Sequence, residues 1–182
     1  SIGYHLMALT VSKCKSVEAV NWLDLETILL DMDGTLLDLQ FDNRFWGEVV
    51  PKKWGELNCL DLRTSQQRLA PIFAAQQGTL NWYCLDYWTE KLGIDISTIK
   101  QTVAGNVSWR PQSETFLAQL KASHLDVVLI TNAHPITLKI KTEQVRLAKW
   151  FNRIFSSHEF GAPKETPTFW EKLIAEHPFI PE

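Results

Sequence analysis

Asp31 and Asp33 stand two residues apart, just past the aliphatic run Ile28-Leu29-Leu30, and Gly34 and Thr35 follow at once. An unpaired carboxylate in apolar surroundings is costly. Two of them together require an offsetting cation or a shared proton. Residues i and i+2 of a strand share a face, which directs both side chains to one mouth. A hard divalent ion with oxygen ligands, Mg2+ above all, suits such a pair, with Asp31 and Asp33 as its protein ligands. A carboxylate held in this way can attack phosphorus and form an aspartyl-phosphate. Gly34 permits a sharp exit from the strand, and Thr35 adds a hydroxyl near the same mouth.

The elements that must position this pair follow from hydrophobic patterning. "TILLDMD" (27–33) reads as a buried strand, because continuous aliphatic runs suit parallel strands covered on both faces. "LDVVLITN" (125–132) is a second strand and "RIFSSHEF" (153–160) a weaker third. Helical patterns fall between and after them. "PQSETFLAQLKAS" starts near Pro111 with Phe116, Leu117 and Leu120 on one face. "HPITLKIKTEQVRLAKWF" starts near Pro135 and carries Leu138, Val145 and Trp150, and "TPTFWEKLIAEH" is a third helix. This alternation is that of a Rossmann-like, doubly wound parallel α/β sheet, whose ligands bind beyond the carboxyl ends of the strands.

Between the first two strands, residues 41–109 read as helical throughout. "TLNWYCLDYWTEKLG" reads as one helix, with Thr79 as N-cap, Gly93 as C-terminal stop and aromatic stripes along it. The expected organisation is an α/β core from 1–40 and 110–182, with 1–21 as an N-terminal extension. Residues 41–109 form a small all-α module inserted after the first core strand.

Composition narrows the function. A chain of 182 residues forms one sizeable core with a small insert. A net charge of −3 gives no indication of nucleic-acid or membrane binding. The three cysteines, Cys14, Cys59 and Cys84, are odd in number and lack metal-like spacing, which suggests a reducing compartment. "SIGYHLMALTV" lacks the basic start of a signal peptide, and Met7 offers an alternative start to Ser1. A cytoplasmic protein is expected.

The whole string "DMDGTLLD" resembles the first motif of the haloacid-dehalogenase-like phosphohydrolase superfamily. Later features agree in order: "VVLITNA" supplies Thr131 as the second motif, with Asn132 after it, and "GAPKETPTFW" supplies Lys164 as the third. The resemblance makes Asp31 the nucleophile and Asp33 the general acid and base. Thr131 and Lys164 would bind the phosphoryl oxygens. The presence of Asp33 favours phosphotransfer over dehalogenation. The insert occupies the place of the family's helical cap, which closes over the core mouth and selects the substrate.

"LLDMDGTLLDLQFDNRFW", "TLNWYCLDYW", "LITNAHP" and "FGAPKE" further resemble the corresponding segments of bacterial GMP/IMP 5'-nucleotidases. That resemblance implies a purine nucleoside monophosphate as substrate. Trp82, Tyr83, Tyr87 and Trp88 offer stacking faces, and Asn81 and Asp86 offer polar groups for the base edges. Asp42, Asn43, Phe45 and Trp46 lie at the cap hinge near the pocket, and Asn132 is a further substrate contact. His134 reads as an exposed loop residue.

The family's fourth motif, an acidic pair on a later strand, has no counterpart before "EHPFIPE". The chain therefore reads as truncated ahead of that strand. This implies weak Mg2+ binding, little activity, and self-association through an exposed sheet edge at "TILLDMD". Two other readings stay open: a phosphatase of another small phosphometabolite such as a sugar phosphate, and a catalytically silent nucleotide-binding protein.

Overall fold

A computed structural model describes residues 21–181. The N-terminal extension up to residue 20, with Cys14 and the alternative start at Met7, lies outside the described residues. Three strands, β1 (Thr27–Leu30), β2 (Asp126–Thr131) and β3 (Arg153–Ser156), form a parallel sheet in the order β1-β2-β3. Leu30 lies beside Leu129, and Thr131 beside Ser156. Parallel pairing therefore brings the carboxyl ends of all three strands to one rim. Among the described strands β1 pairs with β2 alone.

Side-chain alternation explains why β2 is apolar throughout. Val127 and Leu129 pack into a core with Leu117 and Leu120 of α7 (Ser113–Lys121) and with Leu138 of α8 (Pro135–Val145). Val128 and Ile130 face the other way, onto Phe169 and Leu173 of α10 (Pro167–Glu176). Both faces are covered, as expected for a doubly wound sheet.

Two strands are shorter than the sequence pattern suggests. β1 ends at Leu30, and the turn after it uses the backbone groups that a longer strand would have paired. Gly34 N–H donates to Leu37 O at 2.8 Å, and the N–H groups of Leu36 and Leu37 both donate to Met32 O at 2.9 Å. Gly34 makes this possible with φ of +78°, where a side chain would be strained and pressed against Leu39. "RIFSSHEF" is a strand only to Ser156 and then becomes α9 (Ser157–Phe160). The cause is a capping box: Ser156 Oγ accepts from the helix backbone while Ser156 N–H donates to Glu159 Oε1 at 2.8 Å.

The insert is helical from α1 (Gln40–Arg44), through a π-helical turn at Phe45–Val49, to α2 (Val50–Leu57), α3 (Leu62–Ala74), α4 (Leu80–Tyr83), α5 (Leu85–Leu92) and α6 (Ile96–Thr102). "TLNWYCLDYWTEKLG" is two helices, broken at Cys84, whose ψ of 110° is extended. Trp88 Nε1 donates to Trp82 O across the break at 3.0 Å. Thr79 starts α4 without capping it, since its hydroxyl donates to Gln76 O. Gly93 ends α5 in the left-handed conformation. Phe45, Val50, Leu69, Leu85, Trp88, Leu92 and Ile96 form the insert's own core.

Trp88 is only 1% exposed and meets Phe73 and Tyr87 edge to face, at 5.0 and 4.9 Å between ring centroids. It is a packing residue and not a stacking platform. The two chain segments that join insert and core run side by side. Asp38 N–H donates to Ser108 O at 2.9 Å, and Arg110 N–H donates to Leu36 O at 2.8 Å. Trp88→Ala should destabilise the protein by about 3–5 kcal/mol, the usual cost of emptying a large aromatic site. Urea unfolding checks this, and a midpoint unchanged from wild type would contradict the buried placement.

Candidate active site

Asp31 is the first residue past β1, and its two carboxylate oxygens have different partners. Lys164 Nζ donates to Oδ1 at 2.5 Å, and Thr35 Oγ1 approaches Oδ2 at 3.4 Å. The side chain remains 39% exposed, so it is open to a ligand. Lys164 also donates from Nζ to Ile130 O at 3.3 Å, which seats it over the end of β2. Thr131 closes that strand and is buried, its Oγ1 accepting from Ala133 N–H at 3.1 Å and its hydroxyl proton left to donate elsewhere. The parallel register thus gathers Asp31, Thr131 and Lys164 at one rim.

Asp33 points into a line of buried charges. Lys141 of α8, 1% exposed, donates to Asp33 Oδ1 at 2.6 Å and also to Asp42 Oδ2. Lys100 of α6, 2% exposed, donates to Asp42 Oδ1 at 3.0 Å. Its ammonium lies 4.8 Å from the Phe45 ring centroid, an added attraction for a buried cation. Burial raises the Asp33 carboxyl above the ordinary carboxylate range, against the pull of Lys141. For Asp42, burial acts in the same direction, but Lys100 and Lys141 outweigh it and hold the group low. Burial would depress Lys141, yet Asp33 and Asp42 together raise it. Lys100 is lowered, chiefly by burial.

On the insert side, Tyr83 OH donates to Glu165 Oε1 at 3.2 Å. Glu165 in turn accepts from Asn132 Nδ2 at 3.0 Å on each of its oxygens, while Lys164 N–H donates to Asn132 Oδ1 at 2.8 Å. Trp170 Nε1 ties the same loop from behind, donating to Lys164 O at 2.8 Å. Tyr83, Asn132 and Lys164 are therefore brought together around Glu165.

Several expected contacts are corrected by this geometry. Asn132 spends its amide on the Lys164–Glu165 loop, so it positions Lys164 and is not free for a substrate. Asp42 spends both oxygens on lysines. Trp46 packs against Phe45, Phe73 and Trp88, at 5.1, 5.7 and 6.1 Å, inside the insert's aromatic core. Trp82 and Tyr83 stay outside that core, both half-buried. Asn43 lines an open hollow with Asp38, Arg44, Glu48 and Gln66, apart from the Lys164 rim. His134 is buried and caps α8 through Nδ1, which accepts from Ile136 N–H at 3.3 Å. A histidine ahead of Pro135 at the start of a helix was the available signal for that role.

A haloacid dehalogenase-like hydrolase model matches residues 25–178. The chain belongs to this family. The GMP/IMP nucleotidase YrfG of Escherichia coli (strain K12) is 43% identical to this hydrolase over 154 residues, which are 85% of this chain and 69% of that relative. The HAD phosphatase from Thermococcus onnurineus has a similar fold, with a TM-score of 0.72 at 14% identity over 83% of this chain and 71% of that one. The putative HAD-hydrolase YfnB from Bacillus subtilis, whose structure is bound to magnesium, gives 0.57 at 18% identity over 86% and 74% of the two chains.

Mg2+ is often held by one or two carboxylates together with waters and substrate phosphate oxygens. The half-exposed Asp31 carboxylate of this hydrolase fits that requirement. The Asp33 carboxylate fits it less well, because Lys141 already holds Oδ1 and leaves only Oδ2; the main-chain carbonyl of Asp33 is a further candidate donor. The sequence reading missed Lys100, Lys141 and Glu165. Two of them are lysines within helices and the third is an acid beside Lys164, patterns that ordinarily mark a solvated surface.

Removing one member of a buried charge group leaves its partners uncompensated, at a cost of about 3–5 kcal/mol. Asp42→Asn should lose that much at neutral pH. Because the folded Asp42 pKa lies below its unfolded value of about 3.9, this contribution is complete above that value and disappears as pH falls through the folded pKa. Urea unfolding of wild type and variant across acid pH should show the stability gap closing, and a gap independent of pH would refute the pairing.

Proposed function

We propose that this hydrolase is a phosphomonoesterase that works through an aspartyl-phosphate on Asp31 and hydrolyses purine nucleoside monophosphates, GMP and IMP, in the cytoplasm. The observation that carries the chemistry is the Asp31 carboxylate, open to solvent on one side and held by Lys164 at 2.5 Å on the other. An Asp31 oxygen attacks phosphorus, the bond from phosphorus to the 5'-oxygen breaks, and the electron pair leaves with that oxygen. Asp33 donates the proton that makes it a neutral alcohol. Its raised pKa supports this step, since a carboxyl must be protonated to act as an acid.

In the second half-reaction Asp33 takes a proton from water, the water oxygen attacks phosphorus, and the bond to Asp31 breaks to release inorganic phosphate. Among the described residues Asp33 Oδ2 has no hydrogen-bond partner, which leaves it available for both transfers. Lys164 and the Thr131 hydroxyl offset the charge on the phosphoryl oxygens, the largest contribution expected in such a site. Mg2+, held by Asp31 and the Asp33 carbonyl, would neutralise further phosphate charge.

The substrate assignment rests on the 43% identity to a GMP/IMP nucleotidase and on two aromatic residues, Trp82 and Tyr83, left outside the core of the cap formed by residues 41–109. The packing of Trp46 and Trp88 against that core favours a second reading, a smaller phosphometabolite such as a sugar phosphate, because it engages two aromatic rings with each other. Phosphate release from GMP, IMP and a set of sugar phosphates in the presence of Mg2+ separates the two. Asp31→Asn should lower turnover by ~10⁴-fold or more, as loss of a covalent machinery member does. Tyr83→Ala should raise KM for GMP while leaving a small generic phosphate ester nearly unaffected. Near-normal turnover by Asp31→Asn would refute the mechanism, and equal losses on both substrates would refute base recognition by the cap.

A further inference from the structure

Cys84, His134 and His158 come from three separate parts of the chain, yet their ligand atoms lie within 4.8 Å of one another. Cys84 sits at the break between α4 and α5 in the cap, His134 starts α8 in the core, and His158 lies in α9, also in the core. The two imidazole rings meet edge to face with centroids 5.0 Å apart. His158 Nε2 is buried and has no hydrogen-bond partner. Such an orphaned polar atom carries a desolvation cost and needs an explanation. Asp86 Oδ2 lies 3.4 Å from His134 Nε2 and is exposed, so a carboxylate stands beside one of the three donors.

We infer that Cys84, His134 and His158 form a binding site for a borderline-soft divalent transition metal, of which Zn2+ is the probe, and that the bound ion pins the cap to the core. One sulfur and two imidazole nitrogens are the donors such ions prefer, and they do not suit Mg2+. A tetrahedral ion with bonds of about 2.0–2.3 Å draws its donors in from their present spacing, a shift that side-chain rotation at the Cys84 break can supply. Asp86 or a water takes the fourth position. The proton displaced from the Cys84 thiol goes to solvent. Tyr83 and Asn132 adjoin Cys84 and the His134 loop, so the clamp closes over the Lys164–Glu165 loop. None of the three donors is Asp31, Asp33, Thr131 or Lys164, and the binding readouts do not depend on the phosphatase reading.

The test uses the full chain stripped with a chelator and titrated with Co2+, then with Zn2+. The expected result is one equivalent of Co2+ with a thiolate-to-metal charge-transfer band, displaced by Zn2+, and a rise in unfolding temperature on Zn2+ binding. Cys84→Ser should abolish the band and weaken Zn2+ by more than the ~10–100-fold that loss of an outer-shell partner costs. Cys59→Ser should keep the band. His158→Gln, which leaves the thiol in place, provides the same loss of affinity if circular dichroism shows Cys84→Ser to be misfolded. A wild-type spectrum without a thiolate band, or unchanged Zn2+ affinity in a folded Cys84→Ser or His158→Gln variant, overturns the site.

Discussion

The Lys141 ammonium, almost without solvent, is shared between Asp33 and Asp42, and Asp42 is shared in turn with Lys100. A buried cation of this kind persists only where its desolvation is offset by close, hydrogen-bonded counter-charges. That requirement fixes four elements at once: the turn after β1, the hinge helix α1, the cap helix α6 and the core helix α8. Two lysines and two carboxyl groups alternate along this line, close to the rings of Phe41 and Phe45. The insert has a hydrophobic cluster of its own, and this pairing joins it to the core together with the apolar contacts of Phe41, Val103 and Val107.

The same network sets the environment of Asp33. Its carboxylate is aligned by a cation but poorly solvated, and burial prevails in determining its proton affinity. Asp31, two residues earlier, is half-exposed and faces Lys164 instead. Two identical side chains thus acquire different surroundings, one buried beside Lys141 and the other open to solvent beside Lys164. Asn132 maintains the second arrangement by clamping both the backbone of Lys164 and the side chain of Glu165.

Much of this was legible from the residues. The aliphatic runs of β2 and of β1 up to Leu30 marked strands covered on both faces, and "DMDGTLLD" with Thr131 and Lys164 marked the rim. What escaped were features created by tertiary pairing. Nothing local distinguishes Lys100 or Lys141 from a solvated helical lysine; only the approach of Asp42 explains their burial. The break at Cys84 was hidden because both flanking segments have helical periodicity. The start of α9 was encoded in Ser156-Ser157-His158-Glu159, but the preceding β-rich residues masked the capping box. His134 lay in a stretch read as loop, although Pro135 marked a helix start directly after it.

The contact between Asp31 and Lys164 joins positions 133 residues apart. Its formation is therefore a late event in the life of the chain. At a synthesis rate of about 5–20 residues per second, roughly 7–27 s separate the appearance of the two side chains. For most of that interval the apolar run of β1 exists without β2, which lies almost a hundred residues downstream, and parallel pairing across such a separation closes slowly. The helical insert, whose core draws on residues between Phe45 and Val103, can become ordered in the meantime. The order of synthesis thus allows the insert to fold before the strand next to β1 exists.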